Sequence, residues 1–204
     1  VPLHLARQAN PRGVPTVPEM HAITITITIT ITITITSRWP FRQRAGPMKA
    51  ITLRQPWASL FVGGAKMIET RKWGTKHRGR LAVHASATIS SEEMTLSLTP
   101  PFATALNQLG YDTPLRLPLG SVLGWVEITD CLKMVAGSVL FPGAAIGLSD
   151  DPRLTERERA FGNYADGRFA WITGPGRFVL DEPIPARGSL GIWEMPFDIV
   201  VRAP

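Results

Sequence analysis

Three residues within six positions, Lys66, Glu69 and Arg71, have the types and the spacing to do chemistry. They lie in Gly63-Gly64-Ala65-Lys66-Met67-Ile68-Glu69-Thr70-Arg71, where a glycine pair precedes an alternating stretch. A strand starting at Met67 puts Met67, Glu69, Arg71 and Trp73 on one face and Ile68, Thr70 and Lys72 on the other, because side chains alternate along a strand. Glu69 and Arg71 are then neighbours. Lys66, at the junction with the glycine turn, is long enough to lean over the same face. Such a group suits a polar planar ligand: Arg71 fixes the Glu69 carboxylate, and Lys66 holds a phosphate or transfers a proton. The plain alternative is an exposed ion-pair ladder, which surface strands often carry.

The elements that must position this group read as mixed α and β. Residues 49–53 form a short strand. Pro56 opens a helix to about residue 62, ended by Gly63 and Gly64. Strand 67–73 leads through a basic loop, 74–79, to a half-buried strand over 80–86, where Leu81, Val83 and Ala85 alternate with neighbours of different character. Ser90 with Glu93 has capping-box spacing, and 101–109 ended by Gly110 reads as another short helix; both are expected to lie outside the sheet. Residues 121–132 are rich in Val, Leu, Trp and Ile and predict a long central strand. The glycines and prolines of 135–153 predict loop, and Thr155 with Glu158 offers a second capping box. Strands over 168–173, 178–181 and 190–195 complete the set. Six or seven strands with two to four short helices predict an α+β domain built on a small, partly closed barrel, which buries short strands without long edges.

Composition narrows the function. The chain has 204 residues and a net charge of +6. Residues 1–47 hold five arginines against Glu19. Residues 49–80 hold eight basic residues against Glu69 alone, a local +7 that predicts one basic face suited to phosphates. Ile and Thr alternate strictly over 23–36, a low-complexity run with no second strand to pair with, so 1–47 read as a disordered extension foreign to the domain, with Met48 as a natural start. A strand augmenting the domain is the rival reading of that run. The lone Cys131 excludes an internal disulfide, and no cluster of soft ligands predicts a metal or other cofactor. No apolar run spans a bilayer and no signal peptide is apparent, so a cytoplasmic, membrane-free protein is expected.

Gly64, Lys66, Glu69 and Arg71 match, residue for residue, the glycine-x-lysine-x-x-glutamate-x-arginine signature of the ASCH family. The preceding Leu53-Arg54-Gln55-Pro56-Trp57-Ala58-Ser59-Leu60 resembles the family's opening, and His77-Arg78-Gly79-Arg80-Leu81 with His84-Ala85-Ser86 resembles its turn and following strand. Phe161-Gly162-Asn163-Tyr164, Gly167-Arg168-Phe169-Ala170-Trp171 and Arg187-Gly188-Ser189-Leu190-Gly191-Ile192-Trp193 look like the closing strands of bacterial and phage members. The resemblance covers residues 48 to about 196.

It implies a PUA-like β-barrel whose cleft, lined by Lys66, Glu69 and Arg71, faces RNA or a nucleoside. Some relatives hydrolyse N4-acetylcytidine, others have been linked to RNA cleavage, and a eukaryotic transcription coactivator carries the domain. In the amidohydrolases a threonine lies three residues after the lysine, where this chain has Glu69. A hydrolase here would need Glu69 or Lys66 to activate water and Arg71 or backbone amides to stabilise the oxyanion. Binding of RNA, a nucleotide or a nucleoside is the reading the residues favour; a hydrolase acting on a modified nucleoside or on RNA, and a protein-interaction domain, stand beside it. Trp57, Trp73, Tyr164 and Trp171 are candidate stacking platforms, although most tryptophans in so small a domain are core. Gln55 either meets a base edge or caps the first helix. Lys76, Arg78 and Arg80 are candidate phosphate contacts, Gly64 and Arg168 candidate ligand-binding positions, and His84, which shares a face with Ser86 like a catalytic pair, is either a ligand contact or a structural hydrogen bonder.

Overall fold

A computed structural model describes residues 47–135, 138–141, 144–147, 153–197 and 199. The readings of residues 1–46 lie outside them. Among the described residues eight strands and four α-helices follow in the order β1 (Lys49–Leu53), α1 (Trp57–Val62), β2 (Ile68–Arg71), β3 (Gly79–Ala85), α2 (Ser91–Ser97), α3 (Phe102–Gln108), β4 (Ser121–Val135), β5 (Ser138–Phe141), β6 (Ala144–Gly147), α4 (Glu156–Ala160), β7 (Phe169–Pro185) and β8 (Ile192–Glu194). A 3-10 turn at Pro114–Arg116 precedes β4. None of these helices is long and apolar enough to cross a membrane.

Six strands form a continuous sheet, β2-β7-β4-β3-β1-β8, and the β5–β6 hairpin extends the far end of β4. Among the described residues only β1 and β3 pair in parallel, with Ala50 opposite Ala82 and Leu53 opposite Ala85. Alternating residues of the central strands are buried on both faces. Ile51, Val83, Val126 and Trp171 pack with Phe61 of α1 on one side, whereas Ala50, Ala82, Trp125 and Met195 pack on the other. Sheets covered on both faces favour such continuous apolar runs. α1 is short but buried over Ala58–Val62, and its Ala58, Phe61 and Val62 pack into the core on one face of the sheet. The prediction of a mixed α+β domain with short helices holds. No ladder joins β2 to β8 among the described residues, so closure is incomplete; Arg71 of β2 instead reaches β1, its Nη2 donating to the Thr52 carbonyl at 3.2 Å.

Several boundaries differ from the sequence reading for identifiable reasons. Gly174-Pro175-Gly176 looks like a turn between two strands, yet β7 runs through it. Thr173 faces Ile128 and Arg177 faces Val126, so three residues bulge opposite Glu127 and the ladder resumes. A further irregularity sits at Gly124, whose φ is +150° and where a Cβ would lie 2.0 Å from the Phe178 carbonyl oxygen; only glycine permits that approach. Part of the glycine-rich stretch predicted as loop forms the β5–β6 pair, bringing the strand count among the described residues to eight. The expected strand over 67–73 is only four residues long, and Met67 packs with Ile68, Leu132 and Met134 rather than alternating with Glu69.

Candidate functional site

β2 is the element on which the signature sits, and its pairing with β7 sets the directions of its side chains. Glu69 lies opposite Trp171 and Arg71 opposite Phe169, so both side chains share the face of the Trp171 core. Ile68 and Thr70 face away, Ile68 into a cluster with Leu132, Leu154 and Ile172. Arg71 Nε is 3.0 Å from Glu69 Oε1, an ion pair whose N–H is not aligned for a hydrogen bond.

Lys66 does not lean over that face as an exposed side chain. It is 1% exposed and turned inward. Its ammonium donates to the Ile68 carbonyl and lies 3.5 Å from Glu69 Oε2 and 3.8 Å from Glu158 Oε1. Glu158 was legible in the sequence only as a helix-capping residue. Thr155 does cap α4 by accepting from the Glu158 amide, but the Glu158 carboxylate turns to β2 instead, accepting from the amides of Met67 at 2.8 Å and Ile68 at 3.1 Å. The Tyr164 hydroxyl donates to the same carboxylate at 3.1 Å. Burial, reinforced by the neighbouring Glu158 charge, pushes the Tyr164 hydroxyl pKa well up. The four groups form a buried polar knot that locks α4 and the 158–164 segment to the start of β2. Such a charge cluster holds together only when its members satisfy one another.

Glu69 and Arg71 of the signature strand border different clefts. One, about 350 Å³, is lined by Glu69 and Thr70 with Trp57, Phe102, Asn163 and Arg168. The other, about 670 Å³, is lined by Arg71, Trp73, His84, Arg54 and the 186–191 loop with Arg187. The Glu69–Arg71 pair therefore contributes one partner to each. In the larger cleft Trp73 is 38% exposed, and its ring meets the buried Trp171 edge-on at 4.7 Å. Trp171 also donates its indole N–H to the Trp73 carbonyl at 3.3 Å, so the exposed ring is held rather than dangling. Arg54, 58% exposed at its side chain, reaches Glu93 of α2 at 2.6 Å.

The remaining predicted residues separate by environment. Trp57 and Arg168 line the smaller cleft; Arg168 donates to the carbonyls of Asn163 and Thr70, at 3.1 and 3.0 Å, and so braces its wall. Trp171 is fully buried core. Gln55 is also fully buried: its amide donates to Ser59 Oγ and the Pro118 carbonyl, and its oxygen accepts from the Ser59 amide, the capping alternative of its two readings. Gly64 has φ +80°, and the Arg177 guanidinium packs where its side chain would be. Lys76 is exposed on the basic loop. Arg78 pairs with Asp130 at 3.0 Å, and Arg80 lies over the Trp125 ring at 4.5 Å. Of the eight basic residues of 49–80, Lys66 lies in the buried knot, Arg54 and Arg71 line the larger cleft, Arg78 is ion-paired, Arg80 lies over a ring, and Lys49, Lys72 and Lys76 are exposed. Arg54, Arg187, Asn163 and Glu158 escaped the sequence reading because each enters through tertiary packing.

Comparison with known proteins agrees with the signature. Residues 51–165 match the ASCH domain family. Over 146 residues, 71% of this chain, the sequence is 37% identical to human Activating signal cointegrator 1 and 36% identical to its mouse counterpart. The matched region spans 22% of those relatives' length. The crystal structure of ASCH from Zymomonas mobilis is similar at a TM-score of 0.39 and 14% identity, over 73% of this chain and 87% of that one. The chain therefore belongs to the ASCH domain family, a PUA-like family proposed to bind RNA.

Proposed function

We propose that this domain binds single-stranded RNA and receives a nucleotide in the larger cleft, with the base stacked on Trp73 and the phosphates met by Arg71, Arg54 and Arg187. The observation that carries this is the Trp73 ring, exposed at the cleft yet braced by Trp171, beside a guanidinium of the family signature. Aromatic platforms of this kind contribute roughly 1–3 kcal/mol per base and tolerate any sequence, because every base offers a π-face. Lys72 and Lys76, exposed on the adjoining segment, would add sequence-independent phosphate contacts. Hydrolysis of a modified nucleoside has less support. The Lys66 ammonium is spent on Ile68, Glu69 and Glu158, and Glu69 stands where the resemblance places a threonine in the amidohydrolases.

Fluorescence anisotropy of a labelled single-stranded RNA tests the proposal. Affinity should fall steeply between about 50 and 200 mM salt, since phosphate contacts release counterions. Trp73→Ala should weaken it roughly 5- to 150-fold, the equivalent of 1–3 kcal/mol. Absence of binding at low salt, or equal affinity of the variant, would sink the proposal.

A further inference from the structure

A third cleft, about 410 Å³, continues the walls of the larger one. Lys49 of β1 lines it, whereas Ile51, Thr52 and Leu53 of the same strand line the larger cleft. Trp73 borders the larger cleft, and Thr75, Lys76 and His77 border the third. On the remaining side the loop ending at Gly191 lines the larger cleft, and β8, which begins at Ile192, lines the third. All three walls pass from one cleft to the next within two residues, about 6.6 Å along a strand, which is the scale of one nucleotide step. The two clefts thus adjoin along the side where no ladder joins β2 to β8 among the described residues.

The third cleft has the charge and the rigidity of a phosphate site. Lys49 and Lys76 are exposed and make no ion pair among the described residues, whereas Arg54 and Arg71 pair with Glu93 and Glu69. Uncommitted ammonium groups meet phosphate as point charges. The loop that carries Lys76 is held in shape: Thr75 donates its amide to Cys131 Sγ at 3.3 Å, His77 donates its amide to Thr75 Oγ1 at 3.0 Å, and the Arg78 guanidinium donates to the Thr75 and His77 carbonyls. Thr75 Oγ1 accepts in this arrangement, which leaves its O–H to donate. The facing wall is fixed as well. Trp193 of β8 donates its indole N–H to Thr52 Oγ1 at 3.1 Å and meets the His84 ring edge-on at 5.8 Å. His84 is 2% exposed, and its Nε2 donates to the Ala186 carbonyl at 3.0 Å, the structural alternative of its two readings. Walls ordered before the ligand arrives lower the entropy lost on binding. One acid, Glu194, also lines the third cleft, opposite Lys49 in the β1–β8 ladder, and its charge opposes that of the lysines.

Resting on the nucleotide-binding reading, we infer that the third cleft is a second nucleotide subsite. The strand whose base lies on Trp73 continues along β1 toward Lys49; its next phosphate meets Lys49, Lys76 and the Thr75 hydroxyl, and its next nucleotide lies against β8. The ligand that fits the whole length is therefore an unpaired dinucleotide segment rather than a single nucleotide.

Isothermal titration calorimetry of the full chain with uridine 5′-monophosphate and with 5′-phosphorylated diuridine tests this. The sole phosphate of the mononucleotide belongs to the arginines, and the internal phosphate of the dinucleotide belongs to Lys49 and Lys76. The dinucleotide should bind about tenfold more tightly, the scale of one added charge-assisted hydrogen bond. Its affinity should also fall more steeply with salt, by about 0.7 in the log–log slope. Lys49→Gln should weaken the dinucleotide about two- to fivefold, and Glu194→Gln should tighten it by a similar factor, both leaving the mononucleotide as it is. In spectra of nitrogen-15-labelled histidine, the His77 resonance, identified by His77→Gln, should move with the dinucleotide and stay fixed with the mononucleotide. A dinucleotide no tighter than the mononucleotide, or variants that leave it unchanged or shift both ligands alike, overturns the second subsite and leaves nucleotide binding at Trp73 intact. Failure of both ligands to bind overturns both readings.

Discussion

Replacing Glu158 separates two physical roles for one residue. As a surface residue of a capping box it would be worth about 1 kcal/mol, the usual value of a helix cap. The structure gives it more to do. Its carboxylate is 3% exposed and accepts from two β2 amides and the Tyr164 hydroxyl, with the Lys66 ammonium 3.8 Å away. Hydrogen bonds to a charged group contribute about 1.5–3 kcal/mol each, but these share one carboxylate and cannot be summed. Removing one partner of a buried pair typically costs about 3–5 kcal/mol, because the other charge is left in low dielectric. Glu158→Ala should therefore destabilise the domain by about 3–5 kcal/mol in urea unfolding, or roughly 6–20 °C in Tm at about 2–4 °C per kcal/mol for a chain of this size. The Lys66→Met, Glu158→Gln double-mutant cycle should show a coupling of about 0.5–3 kcal/mol. A loss of only about 1 kcal/mol in Glu158→Ala, with no coupling in the cycle, would refute the buried knot and return Glu158 to a capping role.

Gly64→Ala should cost at least about 1–2 kcal/mol for the left-handed backbone alone, and also displace Arg177, whose Nη1 would lie 1.6 Å from the new Cβ; urea unfolding within about 0.5 kcal/mol of the parent would contradict this. Tyr164 should ionise later in the folded than in the unfolded chain, because burial and the Glu158 carboxylate both raise its pKa. With the folded pKa above the unfolded value of about 10, its contribution to stability is present below that pH and is lost as pH rises through the alkaline range. The tyrosinate absorbance difference between the parent and Tyr164→Phe should develop at higher pH in native than in urea-unfolded protein, and coincident curves would refute it.

The α+β class and the main strands were legible because period-two burial is written into residues such as Leu81, Val83 and Ala85, and the signature was legible because its four residues fall within eight consecutive positions. What escaped arises where tertiary contacts override local cues. Gly174-Pro175-Gly176 carries every local mark of a turn, but a bulge opposite Glu127 absorbs it inside β7. Lys66 looks like a solvent-facing cation until Glu158, 92 positions away in sequence, turns out to share its pocket with Glu69. Alternation did place Glu69 and Arg71 on one face; that they border different clefts depends on how α2, α3 and the 186–191 loop close around β2.

RNA is proposed to meet the protein at the Trp73–Arg71 cleft, not merely at the arginines of residues 1–47. Photocrosslinking of a single-stranded RNA containing 4-thiouridine to the full chain, followed by peptide mapping, tests this most directly. Crosslinks on peptides carrying Trp73 or the 186–191 loop, diminished in Trp73→Ala, are the predicted result. Crosslinks confined to residues 1–47, unchanged in Trp73→Ala, would contradict it.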